Sequence, residues 1–152
     1  RFDLITCFDV LEHIKEDKKY LLELKQLLHN DGCVLVTVPA YKFLWTNLDN
    51  LLGHHRRYGR KELMKIFEES GYKILKTSYF YTTISPIFIL LRIYQKLFGR
   101  ATSLENHAIK VPEIVNKFLI FTLVIESKIL DYFNLPFGTS IILLAKKFVI
   151  KK

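Results

Sequence analysis

Two short stretches carry side chains able to do acid–base or ligand chemistry. In "CFDVLEHI", Asp9, Glu12 and His13 stand at i, i+3 and i+4, so a helix begun by Asp9 would turn both carboxylates and the imidazole to one face. In "GHHRRYGR", Gly53 to Arg60, two imidazoles, three guanidiniums and a phenol crowd a single loop. Imidazole titrates near neutrality, so His54 or His55 could take a proton from a bound hydroxyl. Arg56 and Arg57 could pair with a phosphate or carboxylate. Tyr58 and Trp45 could stack on a ring or hydrogen-bond to it. Plainer roles are open to all of them: Glu12 and His13 as caps of a helix start, the arginines as ion-paired surface, His55 as a packed histidine, Tyr41 and Trp45 as aromatic wall.

The elements that must position these residues follow from periodicity. "FDLITCF" (Phe2 to Phe8) and "GCVLVTVPA" (Gly32 to Ala40) read as buried strands. Between them Tyr20, Leu21, Leu24, Leu27 and Leu28 recur at helical spacing, and Asn30-Asp31-Gly32 is expected to end that helix. Strand, helix, strand implies a right-handed crossover and parallel pairing. The unit recurs in "RKELMKIFEESG", with Leu63, Ile66 and Phe67 on one face, followed by the strand "YKILKTSYF". The first stretch then sits where a strand stops and a helix begins, the edge at which open α/β sheets present ligand-binding groups.

Beyond Phe80 the composition changes. Two long apolar, helix-like segments, around Ile84 to Phe98 and Ile114 to Ile125, flank a polar linker, and "TSIILLAKK" closes as a strand. Arg92, Gln95 and Lys96 interrupt the first segment, and Asn116, Lys117, Glu126 and Lys128 flank the second, which excludes confident membrane spans. Helices covering the sheet and an amphipathic hairpin on a bilayer surface both fit.

The chain has 152 residues, half of them hydrophobic, which fits one domain with a real core. The net charge of +8 lies mostly in the second part: 13 basic and 11 acidic residues precede Ile84, and ten basic and four acidic follow from it. An anionic membrane surface is one partner that excess would suit. The basic residues form no single stripe interleaved with aromatics, so no nucleic-acid partner is expected. Cys7 and Cys33 fall in strand-like runs and read as reduced thiols of a cytoplasmic protein, offering no basis for a zinc site. The chain opens on Arg1, almost inside a strand, and is expected to lack its beginning.

Taken together, "FDLITCFDVLEHI", "LLHNDGCVLVTVPA" and "GHHRRYGRKELMKIFEESGY" resemble the C-terminal half of a class I S-adenosylmethionine-dependent methyltransferase, over Phe2 to about Phe80. "LPFGTSIILLAKK" is similar to that family's final antiparallel strand. The resemblance implies a Rossmann-like α/β sheet, of which strands four to seven of the order 3-2-1-4-5-7-6 are present, with a two-helix apolar insertion before the last. Residues 1–83 would then be core strands and helices, 84–135 the insertion, and 136–152 the final strand and basic tail. The glycine-rich turn after strand one would lie in a missing half of roughly 60 to 100 residues, and Phe2 to Phe8 would present an unpaired apolar edge.

The resemblance further implies S-adenosylmethionine as cofactor, with Phe8, Asp9, Val10 and His13 against it. His54 and His55 become the candidate catalytic bases, and Tyr41, Trp45, Arg57 and Tyr58 the candidate acceptor contacts. The acceptor would be a small molecule, lipid-linked or a sugar. Asp9, Glu12 and His13 also resemble the divalent-metal site of the ubiquinone-pathway O-methyltransferases, where oxygen ligands suit magnesium. Two competitors stand beside this reading. One is a non-catalytic membrane-surface or partner-binding remnant. The other is a nicotinamide-dependent reductase, disfavoured because no Tyr-x-x-x-Lys pair follows a strand in the expected way.

Overall fold

The computed structural model describes residues 1–98 and 112–148. The polar linker, apart from Pro112, and the end of the basic tail lie outside them.

Strand β1 (Phe2–Phe8) runs parallel to β2 (Leu28–Pro39), and helix α1 (Asp17–Leu27) makes the crossover. Helix α3 (Arg60–Glu69) leads into β3 (Tyr72–Phe80), which points the same way as β2 but is not its neighbour. The last strand, β4 (Ser140–Lys147), lies between them and antiparallel to both, giving the order β1-β2-β4-β3.

Alternation along β2 and β4 explains this pairing. Val34, Val36 and Val38 lie opposite Ala145, Leu143 and Ile141, and all six are fully buried. Leu21 of α1 and Leu63 and Phe67 of α3 close over the same layer. Each buried aliphatic side chain contributes roughly 2 kcal/mol. A one-residue slip would turn the whole layer outward, so this face sets the register.

Three boundaries differ from those the sequence suggests. Helix α1 stops at Leu27, half-exposed, and Leu28 already belongs to β2. Asn30, Asp31 and Gly32 therefore do not end a helix. They form a bulge in β2, whose register jumps as Phe2 pairs with Leu28 and Leu4 with Cys33. A Cβ on Gly32 would stand 2.9 Å from the Phe2 carbonyl oxygen, so only glycine lets the strands approach there. Nor has a helix begun at Asp9: that residue is left-handed at φ 51°, a 3-10 turn covers Leu11–His13, and α1 starts only at Asp17.

Strands β1, β2 and β3 all finish at one edge of the sheet. Just past each end stands a non-glycine residue of positive φ: Asp9 (51°), Tyr41 (60°) and Tyr81 (60°). Such backbone costs on the order of 1 kcal/mol or more per residue and persists only where surrounding contacts enforce it, a pattern that clusters at functional edges. Two contacts are plain here. Asp9 N donates to Thr37 O at 3.0 Å, and Tyr41 N donates to Tyr58 O at 2.9 Å.

The connection from β2 to α3 is a 3-10 turn at Lys42–Leu44, the short helix α2 (Asn47–Leu51), and the histidine-arginine loop. Beyond β3, helices α4 (Ser85–Phe98) and α5 (Glu113–Tyr132) form the apolar segment. Among the described residues β1 pairs only with β2, and Phe2 and Leu4 are more than half exposed.

Candidate functional site

Helix α2 opens with a capping box. Thr46 Oγ1 accepts from Asp49 N at 3.2 Å, and Asp49 Oδ2 accepts from Thr46 N at 2.7 Å. Gly53, at φ 74°, then reverses the chain so that His54 returns alongside Asp49, its N donating to Asp49 O at 2.9 Å. A side-chain hub results. Asp49 Oδ1 meets His54 Nδ1 at 2.8 Å and Arg57 Nε at 2.8 Å, while Oδ2 takes Arg57 Nη2 at 3.0 Å.

Burial alone would raise the Asp49 carboxyl, but hydrogen bonds from Arg57, His54 and Thr46 outweigh it and hold the group below the ordinary carboxylate range. An ionised carboxylate only accepts. His54 therefore carries its proton on Nδ1, which leaves Nε2 with a free lone pair in the neutral ring.

That imidazole meets the first stretch. His13 and His54 pack edge to face with ring centroids 4.7 Å apart. Glu12 lies beside them, 1% exposed, with neither carboxylate oxygen hydrogen-bonded. Burial, assisted by the Asp9 charge and opposed by its own nearby backbone N–H, His54 and Arg57, pushes the Glu12 carboxyl up to about 7. His55 N donates to Glu12 O at 2.7 Å and so ties the loop to the turn after β1. One donor atom each of Glu12, His13 and His54 lies within 4.8 Å of the others, the set among the described residues that could hold a metal. Asp9, expected in that role, is not in the set. Its backbone points it along β1's end, where Oδ1 accepts from Thr37 Oγ1 at 3.3 Å.

The other expected site residues divide. Phe8, Asp9 and His13 are exposed at the carboxyl edge and Val10 is half-buried beside them. His55 is exposed in the loop. Tyr41 stacks on Tyr79 at 5.2 Å and on Phe43, and burial pushes its hydroxyl up to about 12, which removes it as a base near neutrality. Trp45 donates from Nε1 to Asn50 Oδ1 at 3.0 Å.

Tyr58 does not face a ligand. It is fully buried in the core, donating to Leu11 O and Asp17 Oδ2, because the loop lays it against the end of β2. Arg56 clamps the start of α1 through Asp17 Oδ2 at 2.7 Å and Lys15 O at 2.6 Å. Arg57 is committed to Asp49, yet also lines a cleft of about 340 Å³ with Leu44, Leu48, Tyr81, Ile84 and Phe88. Asp49 was not singled out from the sequence, although Thr46-x-x-Asp49 spells a capping box.

A sequence profile described as a methyltransferase domain matches residues 1–77, half of the chain. The chain belongs to the methyltransferase domain family. Its matched portion holds β1, the turn with Glu12 and His13, and the whole Asp49–His54 loop. No curated protein matches the chain.

Solved structures share the fold. Phosphoethanolamine N-methyltransferase 2 of Haemonchus contortus, solved with S-adenosyl-L-methionine, superposes at TM-score 0.53 and 16% identity, over 97% of this chain and 34% of its own. A SAM-dependent methyltransferase of Archaeoglobus fulgidus gives 0.52 and 14%, over 96% and 59%. The [4+2]-cyclase SpnF gives 0.51 and 15%, over 98% and 52%. The chain thus spans between a third and three fifths of these relatives. A cyclase among them shows that the fold alone does not name the reaction.

Proposed function

We propose that the protein carrying this chain transfers a methyl group from S-adenosylmethionine to an oxygen or nitrogen of a small-molecule acceptor. The observation that carries the reading is the family match over residues 1–77, which contains a base already oriented by a buried carboxylate. The four strands correspond to numbers four, five, seven and six of the order 3-2-1-4-5-7-6, with α4 and α5 as an insertion before the last. A further strand would then pair with the free edge of β1.

Exposed Phe8, Asp9 and His13, with Val10 behind them, fit one side of the cofactor at the carboxyl edge. When bound, the donor supplies a methyl carbon already activated by its sulfonium. The chain's tasks are then to align the acceptor, exclude water and take up a proton. His54 Nε2 receives the proton that the acceptor's O–H or N–H gives up, and Asp49 stabilises the imidazolium. Leu44, Leu48, Ile84 and Phe88 would bury an apolar part of the acceptor, which favours a lipid-linked molecule over a sugar.

The test is calorimetric titration of S-adenosylmethionine into this chain and into a form extended at its N-terminus. Binding by the extended form is expected. No binding by either form would leave the non-catalytic reading, and tight binding by the short chain would overturn the assignment of the glycine-rich turn of the cofactor site to strands outside this chain.

A further inference from the structure

Three separate features of the chain gather Glu12, His13 and His54. The 3-10 turn Leu11–His13 sets Glu12 and His13 side by side just past β1. The backbone bond from His55 N to Glu12 O, at 2.7 Å, lays the histidine-arginine loop against that turn. Asp49 holds the His54 ring by Nδ1 at 2.8 Å, so the nitrogen left for a ligand is Nε2.

Glu12 is the unusual member. It is 1% exposed, and neither carboxylate oxygen has a hydrogen-bond partner among the described residues, yet a donor atom of each imidazole lies within 4.8 Å of its carboxylate. Burying an acid in this way is costly, and proteins do so where the group is paired with a charge or coordinates a metal. The neighbouring guanidinium of Arg57 is committed to Asp49 through Nε and Nη2 and donates nothing to Glu12. The buried carboxylate therefore faces two imidazoles and no cation.

We infer that Glu12, His13 and His54 form a binding site for a divalent transition-metal ion, with zinc as the cation the donor set suits. Two imidazoles and one carboxylate make an open zinc site with water in the fourth position, whereas magnesium selects oxygen donors. This is not the set that Asp9 would have completed, since Asp9 turns to Thr37 instead. Ligand atoms held about 2 Å from zinc stand roughly 3 to 4 Å from one another, so side-chain movements of about 1 Å would gather the three. His13 is exposed and opens the site to solvent, which gives the ion its way in. Behind His54, the Asp49 carboxylate is itself held by Arg57 Nε and Thr46 N, the outer support that orients a ligating imidazole and raises its basicity. Nε2 cannot hold an ion and receive a proton at once. Zinc would therefore silence the base of the proposed methyl transfer, and only this consequence rests on that reading.

The test is calorimetric titration of zinc chloride, and separately of magnesium chloride, into the full-length protein freed of metal by a chelator. Binding of one zinc equivalent is expected, with no comparable binding of magnesium. Asp49→Asn, which alters the support behind His54, should weaken zinc by about tenfold or more, and His13→Ala and Glu12→Gln by at least that factor. His13 is exposed, so His13→Ala should keep the parent's circular dichroism. His55→Ala, an exposed neighbour outside the set, should bind zinc as the parent does. No zinc binding, undiminished affinity in both His13→Ala and Glu12→Gln, an equal loss in His55→Ala, or magnesium bound as tightly as zinc would each overturn the inference. Zinc binding by a protein that does not bind S-adenosylmethionine would support the site and count only against the proposed reaction.

Discussion

Asp49 Oδ1 stands 2.8 Å from His54 Nδ1, and the same carboxylate accepts from both Nε and Nη2 along one edge of the Arg57 guanidinium. The imidazole is thereby fixed in tautomer and direction. If this pair removes the acceptor's proton as one unit in the proposed methyl transfer, Asp49→Asn and His54→Ala should each lower kcat of the full-length protein by about a hundredfold, the lower range of general-base catalysis. The double variant should be little worse than either single one. Steady-state kinetics on the three proteins check this, and losses that multiply would show that the two side chains act separately.

Glu12 makes a prediction about stability. Its carboxyl rises from 4.5 to about 7 in the folded protein, chiefly through burial, so folding favours the protonated form. That stabilisation is complete below the unfolded value and is lost as pH rises through 7. Between pH 5 and 8 the native protein should lose roughly 1–3 kcal/mol through this group. Glu12→Gln cannot titrate there, so urea melts in EDTA should show the variant's advantage growing from pH 5 to pH 8. A constant difference would mean that the carboxyl is solvated.

How much of this was legible beforehand depends on which force decides each feature. The strands and α3 announce themselves, because Val34, Val36, Val38 and Leu63, Phe67 repeat with the period of the surface they bury. The end of α1 does not: "LLHNDG" carries every sign of a helix stop, and what draws Leu28 into β2 is pairing with Phe2, distant in sequence. The i, i+3, i+4 reading of Asp9, Glu12 and His13 fails for a similar reason, since the contacts of Asp9 with Thr37 hold it in a left-handed conformation. His54 and Glu12 are brought together by a backbone bond from His55 to Glu12 that local spacing cannot reveal. Tyr58, set among arginines, reads as an acceptor contact, but the loop's path along the end of β2 sends it inward.

Tyr58 should accordingly behave as a core residue. Removing its hydroxyl deletes bonds of 3.2 Å to Leu11 O and 3.1 Å to Asp17 Oδ2, while Asp17 keeps its partner Arg56. Tyr58→Phe should cost about 1–2 kcal/mol in a urea melt. Its kcat and KM per folded molecule should match the parent. A raised KM at unchanged stability would return Tyr58 to the acceptor site.

Gly32 tests the pairing that brings β1 to β2. An alanine Cβ there would lie 2.9 Å from the Phe2 carbonyl oxygen, 3.0 Å from Leu28 Cδ2 and 3.2 Å from His29 N. Two of these three are backbone atoms, so relief requires the strands to part where Phe2 meets Leu28. Gly32→Ala should cost about 1–3 kcal/mol, as overpacking does elsewhere, and should speed hydrogen exchange at the start of β1. Exchange at Asp9 N, which donates to Thr37 at the far end of the same strand, should change much less. The register from Leu4 with Cys33 to Phe8 with Thr37 is continuous and lies beyond the bulge. If protection at Asp9 fell equally, the bulge would be part of what holds the site edge in place.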